Sequence, residues 1–230
     1  SSNHSHRLTD LVYPKTVNRN IQPQALLTLY KCQYIIKNRI CSLEGWAMHY
    51  ETCAITGHRP SRFKWKYNEN NNGCRRLKKR LREQIIWLYE QGVRRFYVGG
   101  ALGVDLWCGE ILLRLKEQEA YRDIALVLAL PFQGHDVAWD ERSRRRMAFL
   151  IRHSAETVTV GTEDQTPAVN YRRRNEYMVD HADILLAVYD DDRSIRSGTG
   201  ITVHYARKRR LPILLIHPDT AQVAVLPQGD

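Results

Sequence analysis

Arg95-Phe96-Tyr97-Val98-Gly99-Gly100-Ala101-Leu102-Gly103-Val104-Asp105-Leu106-Trp107 carries a short apolar strand straight into glycines and then into a helix. That is the local architecture of a phosphate cradle. Gly99, Gly100 and Gly103 can take positive φ and let a ligand approach the backbone, and a helix opening near Val104 offers N–H groups without intrahelical partners to an anion. The spacing is neither the dinucleotide fingerprint, whose final glycine is missing, nor a P-loop, whose Lys-Ser/Thr is missing. Taken alone, the segment suits a tight strand-to-helix turn as well as phosphate or ribose contact.

On both sides of this loop, apolar strand-like runs alternate with amphipathic helical stretches. Thr52 to Thr56 reads as a strand leading into Gly57-His58-Arg59-Pro60, and Cys74 to Gln91 has apolar residues at 77, 81, 85 and 88, which is helical spacing. Arg94 to Val98 is the next strand, Val104 to Gln118 the next helix, and Ile124 to Leu130 a strand closed by Pro131. Helix Asp140 to Arg152, strand Thr157 to Val160, helix Tyr171 to Asp180 and strand Ile184 to Tyr189 follow, then helix Gly200 to Arg209 and strand Pro212 to His217. Fully apolar strands such as Ile-Leu-Leu-Ala-Val are covered on both faces. The pattern therefore predicts a doubly wound, mostly parallel, Rossmann-like α/β domain. Ligands in such sheets bind beyond the carboxyl ends of strands, where the strand order reverses. The loops at Gly57, Gly99, Pro131-Phe132 and Tyr189 to Gly200 each follow a strand.

Composition narrows the class. The 230 residues are 43% hydrophobic, enough for a sizeable core, and no uninterrupted apolar run or signal-peptide pattern points to a membrane or to secretion. The expected setting is the cytoplasm. Five scattered cysteines, Cys32, Cys41, Cys53, Cys74 and Cys108, form no CxxC pair and read as reduced thiols. No His/Cys cluster has metal-ligand spacing, so no metal is expected. The net charge of +10 gathers at Arg75 to Arg82, Arg142 to Arg146, Arg172 to Arg174 and Arg207 to Arg210. Nucleic acid or a polyphosphate ligand can answer such charge, and so can plain solvent.

Residues 1–47 stand outside the alternation. They contain a helix-compatible stretch from Gln24 to Asn38 but no strand that enters the sheet, whereas His-Tyr-Glu-Thr-Cys-Ala-Ile-Thr-Gly after Met48 opens one naturally. Leu43-Glu44-Gly45 can be encoded by a ribosome-binding GGAGG a short spacer before the Met48 codon. Residues 1–47 are accordingly expected to be a translated upstream or added leader, and 48–230 the nucleotide-binding domain, the competing reading being an authentic extension packed on the sheet. The leader holds six basic and two acidic residues, which leaves +6 from Met48 onward.

Thr52-Cys-Ala-Ile-Thr-Gly-His-Arg-Pro60, Tyr97-Val-Gly-Gly-Ala-Leu-Gly-Val-Asp-Leu-Trp107, Ala129-Leu-Pro-Phe132, Tyr171 with Arg174-Asn-Glu-Tyr-Met-Val-Asp180, and Ala182-Asp-Ile-Leu-Leu-Ala-Val-Tyr189 together resemble the YpsA-like branch of the SLOG superfamily, named for its Smf/DprA and Lonely Guy relatives. The resemblance runs in order from Met48 to Pro218. It implies a Rossmann-like fold whose glycine loops bind nucleotides or nucleotide derivatives. Lonely Guy relatives are phosphoribohydrolases, DprA relatives bind single-stranded DNA, and other SLOG domains sense nucleotide-derived signals, so the fold leaves the function open.

The expected ligand set follows the loops. Gly57, His58 and Arg59 leave the first strand; Arg59 suits a phosphate with its planar fork, and His58 faces a base or sugar or is merely polar surface. Gly99, Gly100 and Gly103 cradle phosphate, while Asp105 accepts a ribose hydroxyl or simply favours the positive end of its helix. Phe132 lines the crevice; Trp107 and Trp139 pack, and Glu110 forms a salt bridge. Tyr171 and Arg174 share a helix face and, with Asn175, serve either a base and phosphate or a homodimer interface. Ser197, Gly198, Thr199, Gly200 and Thr202 form a second glycine loop, similar to the Lonely Guy Pro-Gly-Gly-x-Gly-Thr-x-x-Glu element. Ser197 replaces its first glycine, no glutamate occurs from Ile201 to Ala206, and His204 stands near where that acid belongs. An N-glycosidic hydrolase needs a carboxylate there; Asp190, Asp191 and Asp192 read as turn chemistry. The expected function is thus binding or sensing of a nucleotide or derivative, NAD and ADP-ribose among them, in a regulatory role. No resident cofactor is specified, N-glycosidic hydrolysis is the enzymatic alternative, and single-stranded DNA binding the third.

Overall fold

The computed structural model describes residues 50–192 and 194–226, so the leader expected at 1–47 lies outside the described residues. Seven strands form one sheet in the order β4-β3-β2-β1-β5-β6-β7. They are β1 (Thr52–Gly57), β2 (Arg95–Val98), β3 (Ala125–Leu130), β4 (Glu156–Thr159), β5 (Ile184–Val188), β6 (Ile213–Ile216) and β7 (Val223–Leu226). Five helices connect them: α1 (Asn72–Glu90), α2 (Val104–Lys116), α3 (Glu141–His153), α4 (Pro167–Asp180) and α5 (Gly198–Lys208). All neighbours pair in parallel except β6 and β7. The expected doubly wound α/β fold is present. Its strand order reverses between β1 and β5, the switch point beyond whose carboxyl ends such sheets bind ligands.

Side-chain alternation along the strands divides the interior into two layers. Cys53, Ile55, Phe96, Val98, Leu126 and Leu128 face α1, α2 and α3 through Leu77, Leu81, Leu112, Trp107, Met147 and Leu150. Ala54, Tyr97, Val127, Ala129, Leu185 and Ala187 face α4 and α5 through Met178, Val179, Val203 and Ala206. Helices on both sides explain why β5 is buried at every position and carries no polar residue. Cys53, Cys74 and Cys108 are free and buried, and burial pushes the Cys53 and Cys108 thiols up.

Two differences from the sequence reading matter. β4 is a largely exposed edge strand that starts one residue before the expected Thr157, paired with β3 alone. β7 is a strand the alternating pattern does not announce; its four residues turn back antiparallel onto β6 and cover that edge. No helix of the described residues is long and apolar enough to cross a membrane.

Candidate functional site

The loops after β1, β2, β3 and β5 meet at the carboxyl end of the sheet. Gly100 and Gly103 adopt φ of 65° and 94°, the left-handed region that favours glycine. A side chain at Gly103 would also stand 2.7 Å from the His58 carbonyl, so the β1 and β2 loops pass in direct contact. Gly99 serves close approach. A Cβ there would fall on the Arg174 guanidinium and 2.7 Å from Asp105 Oδ2.

Asp105 and Arg174 together form a buried brace behind the glycine loop. Both are 5% exposed, their charged atoms are 3.7 Å apart, and Arg174 Nη1 donates to the Gly99 carbonyl. The Ala101 N–H donates to Asp105 Oδ2 at 3.3 Å. Burial raises the Asp105 carboxyl above its usual range while Arg174 and the loop amides work against that rise. Burial likewise lowers the Arg174 guanidinium, opposed by Asp105. Each group opposes the other's loss of charge, and both are turned toward the loop rather than toward solvent. A third support comes from His135, whose Nε2–H donates to the Gly100 carbonyl at 3.0 Å. Burial holds the His135 ring below its usual pKa.

In front of the brace lies a cationic and aromatic cluster. The Arg59 guanidinium sits 5.2 Å from the Tyr171 ring centroid and that of Arg174 5.7 Å from it. Phe132 meets Tyr171 edge-on at 5.8 Å and His135 at 6.3 Å. Arg59 is exposed, and among the described residues no carboxylate forms an ion pair with it. This free guanidinium and the aromatic edges are the groups available to an incoming anion.

The β1–β5 switch point supplies the other wall. His58 is 3% exposed, its ring packs edge-on against Tyr189 at 5.6 Å, and its Nε2 stands 3.6 Å from Asp190 Oδ1 without a hydrogen bond. Burial lowers the His58 pKa, and the Asp190 carboxylate opposes that shift. Asp190 is thus drawn into the wall. Gly200 backs onto the Tyr189 hydroxyl, which a Cβ would approach to 2.9 Å, whereas space is open around Gly198. Ser197 caps α5 by accepting the Gly200 N–H at 3.0 Å, and the Thr202 hydroxyl donates to the Gly198 carbonyl. Thr199 and Thr202 are buried, whereas Gly198 is exposed.

Gly57, His58, Arg59, Gly99, Gly100, Gly103, Asp105, Phe132, Tyr171 and Arg174 therefore come together, and Ser197, Gly198, Thr199, Gly200 and Thr202 join them through Tyr189. Asn175 is half-buried on α4, and no hydrogen bond or ring contact ties it to either wall among the described residues. His135 and Tyr189 stand in these walls without having been singled out, and Asn170, next to Tyr171 on α4, is buried behind them. Asn170 joins the β4–α4 loop to α4 by accepting the Thr162 N–H at 3.2 Å and donating to its carbonyl at 2.8 Å. Nothing in the sequence separates it from an ordinary polar helix residue; His135 had only its position four residues beyond Pro131 to suggest it. Among the described residues no three His, Cys, Asp or Glu side chains gather to hold a metal.

The family model for the YspA SLOG family matches residues 53–221, a span that contains both walls. The chain belongs to that family. SLOG membership accords with the parallel sheet and with glycine loops at its carboxyl end. A UPF0398 protein of Halalkalibacterium halodurans is 30% identical over 154 residues, covering 66% of this chain and 80% of that protein. A UPF0398 protein of Bacillus thuringiensis is 26% identical over 140 residues, covering 61% and 74%. Among solved structures, the single-stranded-DNA-binding DNA processing protein A from Helicobacter pylori is similar with 16% identity and a TM-score of 0.48. That match covers 72% of this SLOG chain and 64% of the other.

Proposed function

We propose that this SLOG domain binds a nucleotide or nucleotide derivative in the crevice at the carboxyl end of the sheet and that binding serves a sensing or regulatory role. The observation that carries this reading is the exposed, unpaired Arg59 held over Tyr171 directly in front of a braced glycine loop. A guanidinium fork pairs with two phosphate oxygens, the first turn of α2 adds N–H groups and the positive end of its dipole, and Tyr171 and Phe132 offer aromatic surface to a base. The second glycine loop adds the open N-terminus of α5 around Gly198. Asp105 and Arg174 act here as positioning residues, since their charges are used on each other and on the loop.

Isothermal calorimetry of the full chain against a panel that includes AMP, NAD and ADP-ribose is expected to find a binder whose affinity Gly100→Val abolishes. A branched side chain cannot take φ of 65° there without moving the loop. Indifference to the whole panel, or equal affinity in the Gly100→Val protein, overturns the reading.

A further inference from the structure

Two of the four basic clusters converge on a surface that the crevice does not use. Lys78, Lys79 and Arg82 of α1, Arg114 of α2, and Arg142 and Arg146 of α3 line one groove of about 730 Å³ on the helical face of the sheet. A second cavity of about 530 Å³ adjoins it, sharing Glu110, Arg114, Arg142 and Arg146 and reaching Phe149.

The charges of the groove fall into two groups. Those of its floor are neutralised: Arg146 pairs with Glu69 and Glu110, and Lys78 pairs with Glu69 while lying 5.0 Å from the Trp107 ring centroid. Burial works to raise the Glu69 carboxyl, but hydrogen bonds from Arg146 and Lys78 prevail and hold it at about 2. The rim is different. Lys79, Arg82, Arg114 and Arg142 are exposed, and among the described residues none has a carboxylate partner. Glu117 is the unpaired carboxylate of the lining. Four free cations against one free anion leave a basic channel bordered by three helices.

We propose that this groove binds single-stranded nucleic acid. Free cations distributed along a channel match a chain of phosphates better than one compact anion, because each added phosphate meets another cation and releases counterions. A duplex suits the surface poorly. Helices α1, α2 and α3 lie side by side against the sheet, so none projects as the rod that enters a major groove of about 12 Å width. At the end of the channel Phe149 is 49% exposed and its ring lies against that of His153 at 4.2 Å, tilted by 33°. An exposed ring already backed by a second ring is a platform on which an unpaired base can stack.

Fluorescence anisotropy of the full chain with labelled oligo(dT) and with a duplex of equal length tests the proposal. If the four rim cations each neutralise one phosphate, the plot of log affinity against log salt has a slope of about −3, and affinity falls roughly 50-fold from about 50 to 200 mM salt. The double variant Arg82→Ser/Arg142→Ser is expected to halve that slope, and Phe149→Ala to weaken oligo(dT) at least about 5-fold, the lower end of what one stacked base contributes. All three side chains are exposed, so the melting temperature should stay within a degree or two. The proposal falls if oligo(dT) is not bound at low salt or if the duplex binds as tightly. It also falls if affinity and slope survive both variants, which would assign binding to another basic part of the chain.

Discussion

Replacing Gly99 with alanine adds one methyl group and asks how much the site depends on its buried brace. Gly99 does not have a positive φ, so the substitution carries no left-handed backbone penalty. Its Cβ would land on the Arg174 guanidinium and 2.7 Å from Asp105 Oδ2, closer than carbon and oxygen pack. The loop is held on one side by the contact of Gly103 with the His58 carbonyl, so the guanidinium is the group that must leave. Asp105 then stays 5% exposed with the Ala101 N–H but without its counter-charge. Breaking a buried pair in this way costs about 3–5 kcal/mol; taking the low end because the two charges are 3.7 Å apart gives a loss of about 3 kcal/mol. For a domain of this size that lowers the melting temperature by roughly 6–12 °C. Thermal and urea unfolding followed by circular dichroism measure both quantities. In a cycle with Arg174→Met, the second substitution makes room for the methyl, and the double variant should be more stable than the summed losses by about 1–3 kcal/mol. A shift under about 2 °C for Gly99→Ala, or full additivity with Arg174→Met, would refute the brace.

Arg59→Ala removes an exposed guanidinium and should weaken nucleotide binding roughly 10- to 100-fold in calorimetry, the worth of a charge-assisted hydrogen bond, while leaving the melting temperature unchanged. Ser197→Ala removes the cap from α5 and should cost about 1 kcal/mol, read as a fall of roughly 2–4 °C on thermal unfolding. Acid denaturation should depend on Glu69, whose carboxyl moves from 4.5 to about 2 in the fold. The folded state takes up that proton less readily than the unfolded chain, so its stabilisation is complete above pH 4.5 and is lost as pH falls toward 2. Glu69→Gln should therefore flatten the urea midpoint across that window; an unchanged pH dependence would remove Glu69 as its source.

The sheet was legible because β3, β5 and β6 are short, uninterrupted apolar runs, and a strand buried on both faces can be little else in a chain that alternates with amphipathic helices. β7 was not, since four residues with two exposed positions carry too little periodicity and its antiparallel pairing depends on the turn after β6. At the site, glycines betrayed the backbone: Gly100 and Gly103 mark left-handed turns wherever the chain runs next. Side-chain roles were harder. The sequence offers Arg59 and Arg174 as equivalent cations, and only tertiary packing separates the exposed one over Tyr171 from the buried one on Gly99 and Asp105. Asp190 looked like loop chemistry because its proximity to His58 spans 132 positions of chain. The basic clusters at 75–82 and 142–146 likewise became one groove only through the packing of α1, α2 and α3.

Amide chemical-shift mapping of the isotopically labelled full chain, titrated with AMP, NAD and ADP-ribose, tests nucleotide binding at the crevice most directly. For a member of the panel that binds, the largest shifts should fall on residues 57–59, 99–103, 132–135 and 197–200, with the α1–α3 groove little changed. Shifts centred on that groove, or none from any of the three at millimolar concentration, would contradict a nucleotide crevice at the carboxyl end of this sheet.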